Sequence, residues 1–224
     1  MTAAVSSQYK LLIFDWDGTL MDSEARIVNS LRHASKEVLG IDKTDDQFKN
    51  VIGLGLREAL QVLHPEIKDS EIQKMAESYK KIYLSDDNIP SNLFEGVENL
   101  LSRLKDTGYK LAVATGKGRE GLDLVLKNTG LNDHFHITKC ATETRSKPHP
   151  QMLHEILDEL EIHPDHSLMI GDTEYDMEMA LNAGIDRLAV SYGVHAEERL
   201  LNHNPIGCIH NILELPEYLN PAFR

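Results

Sequence analysis

A chain of 224 residues, 41% hydrophobic and 26% charged, is long enough to bury one large core, or a core plus a small insert. Its formal net charge of -13 argues against a nucleic-acid partner, because binding a phosphate backbone needs a basic face. A small phosphorylated ligand stays open, provided that positive charge is gathered at one place.

The first apolar run, KLLIFD (Lys10–Asp15), is short and nearly continuous. KLAVATG (Lys110–Gly116), FHITKC (Phe135–Cys140), SLMIGD (Ser167–Asp172) and RLAVSYG (Arg187–Gly193) follow the same pattern. Strands buried on both faces of a parallel sheet have this composition. Between them the spacing predicts helices over Glu95–Thr107, Gly118–Thr129, His149–Leu160 and Glu174–Ala183, three of them stopped by Gly108, Gly130 and Gly184. The alternation makes the fold α/β with a mainly parallel sheet. Residues 23–90 differ. Ile27, Leu31, Val38 and Leu39, then Ala59, Leu60 and Leu63, then Ile72, Met75, Tyr79 and Ile82, fall at helical spacing with no buried strand among them. A helical insert is expected there, with core residues 1–22 and 91–224 on either side and a polar hinge at SDDNIPSN (Ser85–Asn92). The C-terminal IHNILELPEYL (Ile209–Leu219) reads as a last helix on the core, interrupted or ended near Pro216. No run is long enough to span a membrane, and MTAAVSSQYK lacks a basic start followed by an apolar stretch, so a cytoplasmic protein without a membrane partner is expected. Cys140 and Cys208 lie outside any CxxC pair and are expected as free thiols.

Reactive residues stand at the carboxyl ends of these strands, where open α/β sheets place their sites. The first strand runs into Asp15 and Asp17, which share one side of an extended chain. Two carboxylates so close disfavour each other's charge unless a cation lies between them, and Mg2+ suits oxygen ligands that include phosphate. Gly18 allows a sharp turn close to a ligand, and Thr19 can donate its hydroxyl or N–H to a phosphate oxygen. Asp and Gly are also ordinary turn residues. Thr115, Gly116 and Lys117 open a helix, where free N–H groups favour an anion, although Thr is equally a common N-cap. Lys147 in SKPHP is held extended by Pro148 and can set one positive charge on a phosphate; on its own it also reads as a surface lysine before a helix. Asp172 and Asp176 in GDTEYD can hold a metal, or Lys147, or cap a helix. Together these parts suit phosphoryl transfer.

DWDGT, the Thr of TGK, the Lys of SKPHP and GDTEYD resemble, in order, the four motifs of the haloacid dehalogenase-like hydrolase superfamily. The insert after DWDGTLMDS resembles the small helical cap of its phosphoglycolate phosphatase and β-phosphoglucomutase branch. The resemblance implies a Rossmann-like parallel sheet core with an inserted α-helical cap domain. It implies Asp15 as nucleophile, Asp17 as acid and then base, and Thr115 and Lys147 as phosphoryl ligands. Mg2+ would be held by Asp15, the backbone carbonyl of Asp17, and Asp172, with Asp176 in support. Because this chain has an acid at Asp17, which haloacid dehalogenases lack, phosphoryl chemistry is implied over dehalogenation. VIGLGLREAL (Val51–Leu60) resembles the substrate-specificity loop of the branch, with Arg57 placed to meet a second anionic group, or to face solvent at a helix start. The expected activity is a Mg2+-dependent phosphatase of a small phosphorylated metabolite, acting as monomer or homodimer. A phosphomutase and a non-catalytic binding protein on the same fold are the alternatives.

Overall fold

The computed structural model describes residues 9–85 and 89–219. The opening residues 1–8, and residues 86–88 of the expected hinge, lie outside these.

In chain order the elements are β1 (Leu11–Phe14), β2 (Met21–Asp22), α1 (Glu24–Leu39), α2 (Asp45–Lys49), α3 (Leu56–Leu63), α4 (Asp69–Ser85), β3 (Asn92–Leu93), α5 (Val97–Asp106), β4 (Lys110–Thr115) and α6 (Arg119–Thr129). They continue with β5 (Ile137–Cys140), α7 (Gln151–Leu160), β6 (Ser167–Gly171), α8 (Glu174–Ala183), β7 (Asp186–Val190), α9 (Glu197–Leu201) and β8 (Gly207–Ile209). Six strands form one sheet in the order β5-β4-β1-β6-β7-β8, every pairing parallel. β1 lies between β4 and β6, with Leu11 opposite Lys110 on one side and Ser167 on the other. The five predicted strands all appear, shortened at their ends except that β7 starts one residue earlier, at Asp186; β5, at the sheet edge, is mostly half-buried.

Side chains alternate across β1. Leu12, Phe14 and, past the strand end, Trp16 enter one apolar cluster with α5 and α6. Leu11 and Ile13 enter the other, with α7 and α8. A sheet packed by helices on both faces needs apolar residues at every strand position, which is why these runs are continuous. α5 presents Val97, Leu100, Leu101 and Leu104 on one stripe. α8 ends at Gly184, whose φ of 69° is left-handed and closes the last turn.

The four helices α1–α4 share a separate apolar cluster that includes Ile27, Leu31, Phe48, Leu60 and Met75. Tyr83 joins it as a buried member, whereas Ile82 is only half-buried. The chain leaves and re-enters the sheet region through the antiparallel pair β2–β3, where Met21 faces Leu93. The expected C-terminal helix takes another form. Ile209 ends β8, and Ile212–Tyr218 is a 3-10 helix with Pro216 inside it. A proline removes the N–H donor that a continued α-helix requires, yet Ile212, Leu215 and Leu219 still pack on the core. Cys140 and Cys208 are both free. No helix among the described residues is long and apolar enough to cross a membrane.

Candidate active site

Three neighbouring strand ends build the floor of the site. β1 delivers Asp15, β4 ends on Thr115, and β6 delivers Asp172. The β1 alternation continues into DWDGT, so the indole of Trp16 is sunk in the core and the carboxylates on either side of it point away. Trp16 carbonyl then accepts from the N–H groups of Leu20 and Met21 at 2.9 and 3.0 Å, which turns the chain sharply.

Gly18 sits at φ 82°, and its N–H donates to the Met21 carbonyl at 2.8 Å. A Cβ at that position would lie 2.1 Å from Asp172 Oδ2, so only glycine lets this turn approach the carboxylate. The hydroxyl of Thr19, expected on a phosphate oxygen, instead donates to Asp172 Oδ1 at 2.8 Å. Asp172 Oδ2 accepts from the Val194 N–H at 2.9 Å. Gly18 and Thr19 therefore shape and hold Asp172 in this structure.

Lys147 reaches the floor from the segment after β5. Its side chain is wholly buried, with Nζ donating to Asp176 Oδ1 at 2.6 Å and lying 2.7 Å from Asp15 Oδ1. The contact to Asp15 is one of charge rather than an aligned hydrogen bond, and Asp15 Oδ2 is buried without any donor. Asp176 Oδ2 accepts from the hydroxyl and the N–H of Thr173, at 2.6 and 3.1 Å, so it also caps α8. Asp15, Asp172 and Asp176 place one carboxylate oxygen each within 4.8 Å of one another. Three buried carboxylates around one lysine carry surplus negative charge, and the Asp15 oxygens are buried without a hydrogen-bond donor. This oxygen-only donor set fits a hard divalent cation.

The electrostatics follow from burial. Burial pushes the Asp15 carboxyl up to about 7; Lys147 opposes this, and the charges of Asp176 and Asp17 add to it. Asp172 is also raised, by burial and by the charges of Asp15 and Asp176. Burial pulls Lys147 down, but Asp15 and Asp176 outweigh it and leave it firmly protonated. A carboxyl whose pKa is raised on folding binds its proton more tightly in the folded chain. Without a cation, stability is therefore lost as pH rises from about 4 to about 7. Thermal melts in chelator should show this fall, and Asp15→Asn should flatten it. Added Mg2+ should raise the melting temperature more at pH 7.5 than at pH 5. A melting temperature indifferent to Mg2+ at both pH values would contradict the cation-binding assignment.

Asp17 stands apart from this cluster. Its Oδ1 accepts from Ser23 Oγ at 2.6 Å, and its Oδ2 lies 3.0 Å from Lys117 Nζ. Lys117 also donates to Tyr83 Oη of α4 at 3.0 Å and sits 4.5 Å from that ring's centroid. Burial pulls Lys117 down, but Asp17 and the neighbouring tyrosines raise it overall. Thr115 Oγ1 accepts from the Lys117 N–H at 3.1 Å, which leaves its own proton to donate. A cavity of about 570 Å3 opens over Asp15, Asp17 and Thr115, roofed by the helical segment. Arg57 lines it and is ion-paired with Asp69.

The roof is tied to the sheet region at several points. The Gly55 N–H donates to Ser146 Oγ at 2.7 Å, and Tyr175 Oη donates to the Asn50 carbonyl at 2.7 Å. A Cβ on Gly116 would lie 2.5 Å from the carbonyl oxygens of Gly53 and Leu54. Gly116 thus lets the loop rest directly on the start of α6. The partners of Lys117, Tyr83 and Ser146 escaped the sequence reading. Their pairings join residues far apart in the chain and follow no local spacing.

Comparison with known proteins identifies the family. The model of a family described as haloacid dehalogenase-like hydrolase matches residues 12–190. The chain is 30% identical over 219 residues to "Probable phosphatase IndB" of Dickeya dadantii, covering 92% of this chain and 95% of that one. It is 27% identical over 200 residues to "Pyrophosphatase PpaX" of Bacillus pumilus, covering 89% and 91%. A solved hydrolase of the haloacid dehalogenase-like family from Streptococcus pneumoniae superposes with a TM-score of 0.80 at 27% identity, covering 94% of this chain and 98% of that one.

Proposed function

Since this chain belongs to the haloacid dehalogenase-like hydrolases, we propose that it is a Mg2+-dependent phosphatase of a small phosphorylated metabolite, working through an aspartyl-phosphate on Asp15. The observation that carries this reading is the floor itself: a buried carboxylate with an orphaned oxygen, beside a buried lysine and a second carboxylate, at the base of one cavity. Relatives named phosphatase and pyrophosphatase support phosphoric ester hydrolysis as the activity.

In this reading Asp15 attacks phosphorus, forming the Asp15–phosphate bond as the bond to the leaving oxygen breaks. Asp17 gives that oxygen its proton. Asp17 then takes a proton from water, the resulting hydroxide attacks the aspartyl-phosphate, and inorganic phosphate leaves with Asp15 restored. Lys147 supplies fixed positive charge to the phosphoryl group, and Thr115 donates its hydroxyl, assisted by backbone at Gly116 and Gly18. Thr19 serves through Asp172, which it orients. Asp15, Asp172 and Asp176, with the carbonyl of Asp17, would hold Mg2+, which when bound neutralises phosphoryl oxygens and keeps these carboxylates ionised. Ser23 and Lys117 hold the Asp17 carboxylate in place. Residues 23–90 act as a cap over a core of residues 1–22 and 91–224, excluding bulk water while the intermediate exists.

The test is phosphate release from a panel of phosphomonoesters, with Mg2+ and with chelator. Release that needs Mg2+ and occurs without added sugar bisphosphate supports the phosphatase. Release of none, by folded protein with Mg2+ present, overturns it.

A further inference from the structure

The cavity above the phosphoryl floor has a composition that discriminates among leaving groups. Its upper walls are apolar: Ile27 and Leu31 from α1, Ile52 and Leu54 from the loop, and Tyr79 and Tyr83 from α4. The two tyrosine rings are stacked, with centroids 5.7 Å apart and planes inclined by 22°.

Four cationic side chains also line the cavity, and each is already matched to a carboxylate. Lys117 Nζ lies 3.0 Å from Asp17 Oδ2. Arg119 donates to both oxygens of Glu143 at 2.8 Å. Lys80 pairs with Glu120 at 3.2 Å, and Arg57 pairs with Asp69. A second anionic group on the substrate would have to displace one of these carboxylates, in a chain of net charge -13. Of the four pairs, Arg57–Asp69 and Lys80–Glu120 are exposed and the easiest to exchange, but exposed pairs of this kind contribute little. An uncharged apolar group displaces nothing and buries its surface against Leu, Ile and Tyr. The volume of about 570 Å3 lies within the range of sites that enclose organic ligands larger than glycolate.

We propose that the preferred substrate is a phosphomonoester whose leaving group is uncharged and apolar or aromatic, rather than a compound whose leaving group is itself anionic, such as the monoester phosphoglycolate or the anhydride pyrophosphate. This rests on the phosphatase reading and narrows it.

The test compares benzyl phosphate with 2-phosphoglycolate and pyrophosphate as substrates of the full chain with Mg2+. Benzyl alcohol and the glycolate hydroxyl are similarly basic leaving groups, so the two monoesters differ chiefly in what the cavity must hold. Benzyl phosphate is expected to show a KM about ten- to hundredfold lower than phosphoglycolate, from burial of a phenyl-sized group. A KM for phosphoglycolate or pyrophosphate equal to or below that for benzyl phosphate, with phosphate released, overturns the leaving-group assignment and leaves the phosphatase standing. Release from none of the three, nor from any other monoester, overturns both.

Discussion

Asp15→Asn is expected to lower the rate of phosphate release by a thousandfold or more, on the order seen when the attacking group of a covalent mechanism is removed. Asn has the shape of Asp but cannot form the acyl phosphate. The main chain at this position is independent of the side chain, since the N–H of residue 15 donates to the Ile170 carbonyl at 3.0 Å. The substitution also removes one negative charge from a buried cluster that includes Asp172 and Asp176. In chelator above pH 7 the variant should melt at the wild-type temperature or higher. Folded but inactive protein is therefore the expected combination, read by single-turnover phosphate release beside a thermal melt. Activity within tenfold of wild type would remove Asp15 from the nucleophile's role.

Lys147→Met should act on stability as strongly as on turnover. The lysine is the one cation within reach of both Asp15 and Asp176 among the described contacts, and its side chain is fully buried. Met keeps much of its volume and none of its charge. Breaking a buried ion pair from one side costs about 3–5 kcal/mol, because the abandoned charges remain in a low-dielectric interior. The loss should be largest near neutral pH in chelator. It should shrink towards pH 5, where the raised Asp15 and Asp172 carboxyls of the folded chain take up protons and leave less charge to be abandoned. Urea unfolding at pH 5 and pH 7.5 checks both the size and its direction with pH. A loss below about 1 kcal/mol at pH 7.5 would mean that Lys147 does not neutralise the cluster.

Much of the sheet was legible because a strand covered on both faces leaves a continuous apolar run. The reading of LLIF, LAVAT and SLMIG depends on nothing beyond that rule, and the strand ends then located Asp15, Thr115 and Asp172. Short or edge elements have no such signature. β2 and β3 are two residues each, α2 has five, and β8 carries a glycine and a half-buried cysteine. None of them is long enough to show a period. The candidate site was legible as a set of residue types but not as a set of partners. Thr19 could be placed near a phosphate from its position behind Gly18, yet its hydroxyl is committed to Asp172, 153 positions away. Lys117 reads locally as a helix start, and only the folded chain brings it to Asp17 and Tyr83.

The place of β1 in the sheet has a consequence for how the protein is made. Leu11–Phe14 leaves the ribosome before the other described strands, but its two neighbours are Lys110–Val113 and Ser167–Ile170. This apolar segment must therefore wait, unpaired, until Lys110–Val113 has been made. The helices of Glu24–Ser85 can associate meanwhile, because their contacts lie within their own stretch of sequence. Pairings between segments so far apart form slowly and leave apolar surface open to other chains. Overproduction at high temperature should thus favour inclusion bodies, and slowing synthesis should recover native protein. The carboxylate cluster assembles late, since Asp15 meets Asp172 only after the strand that carries it has docked.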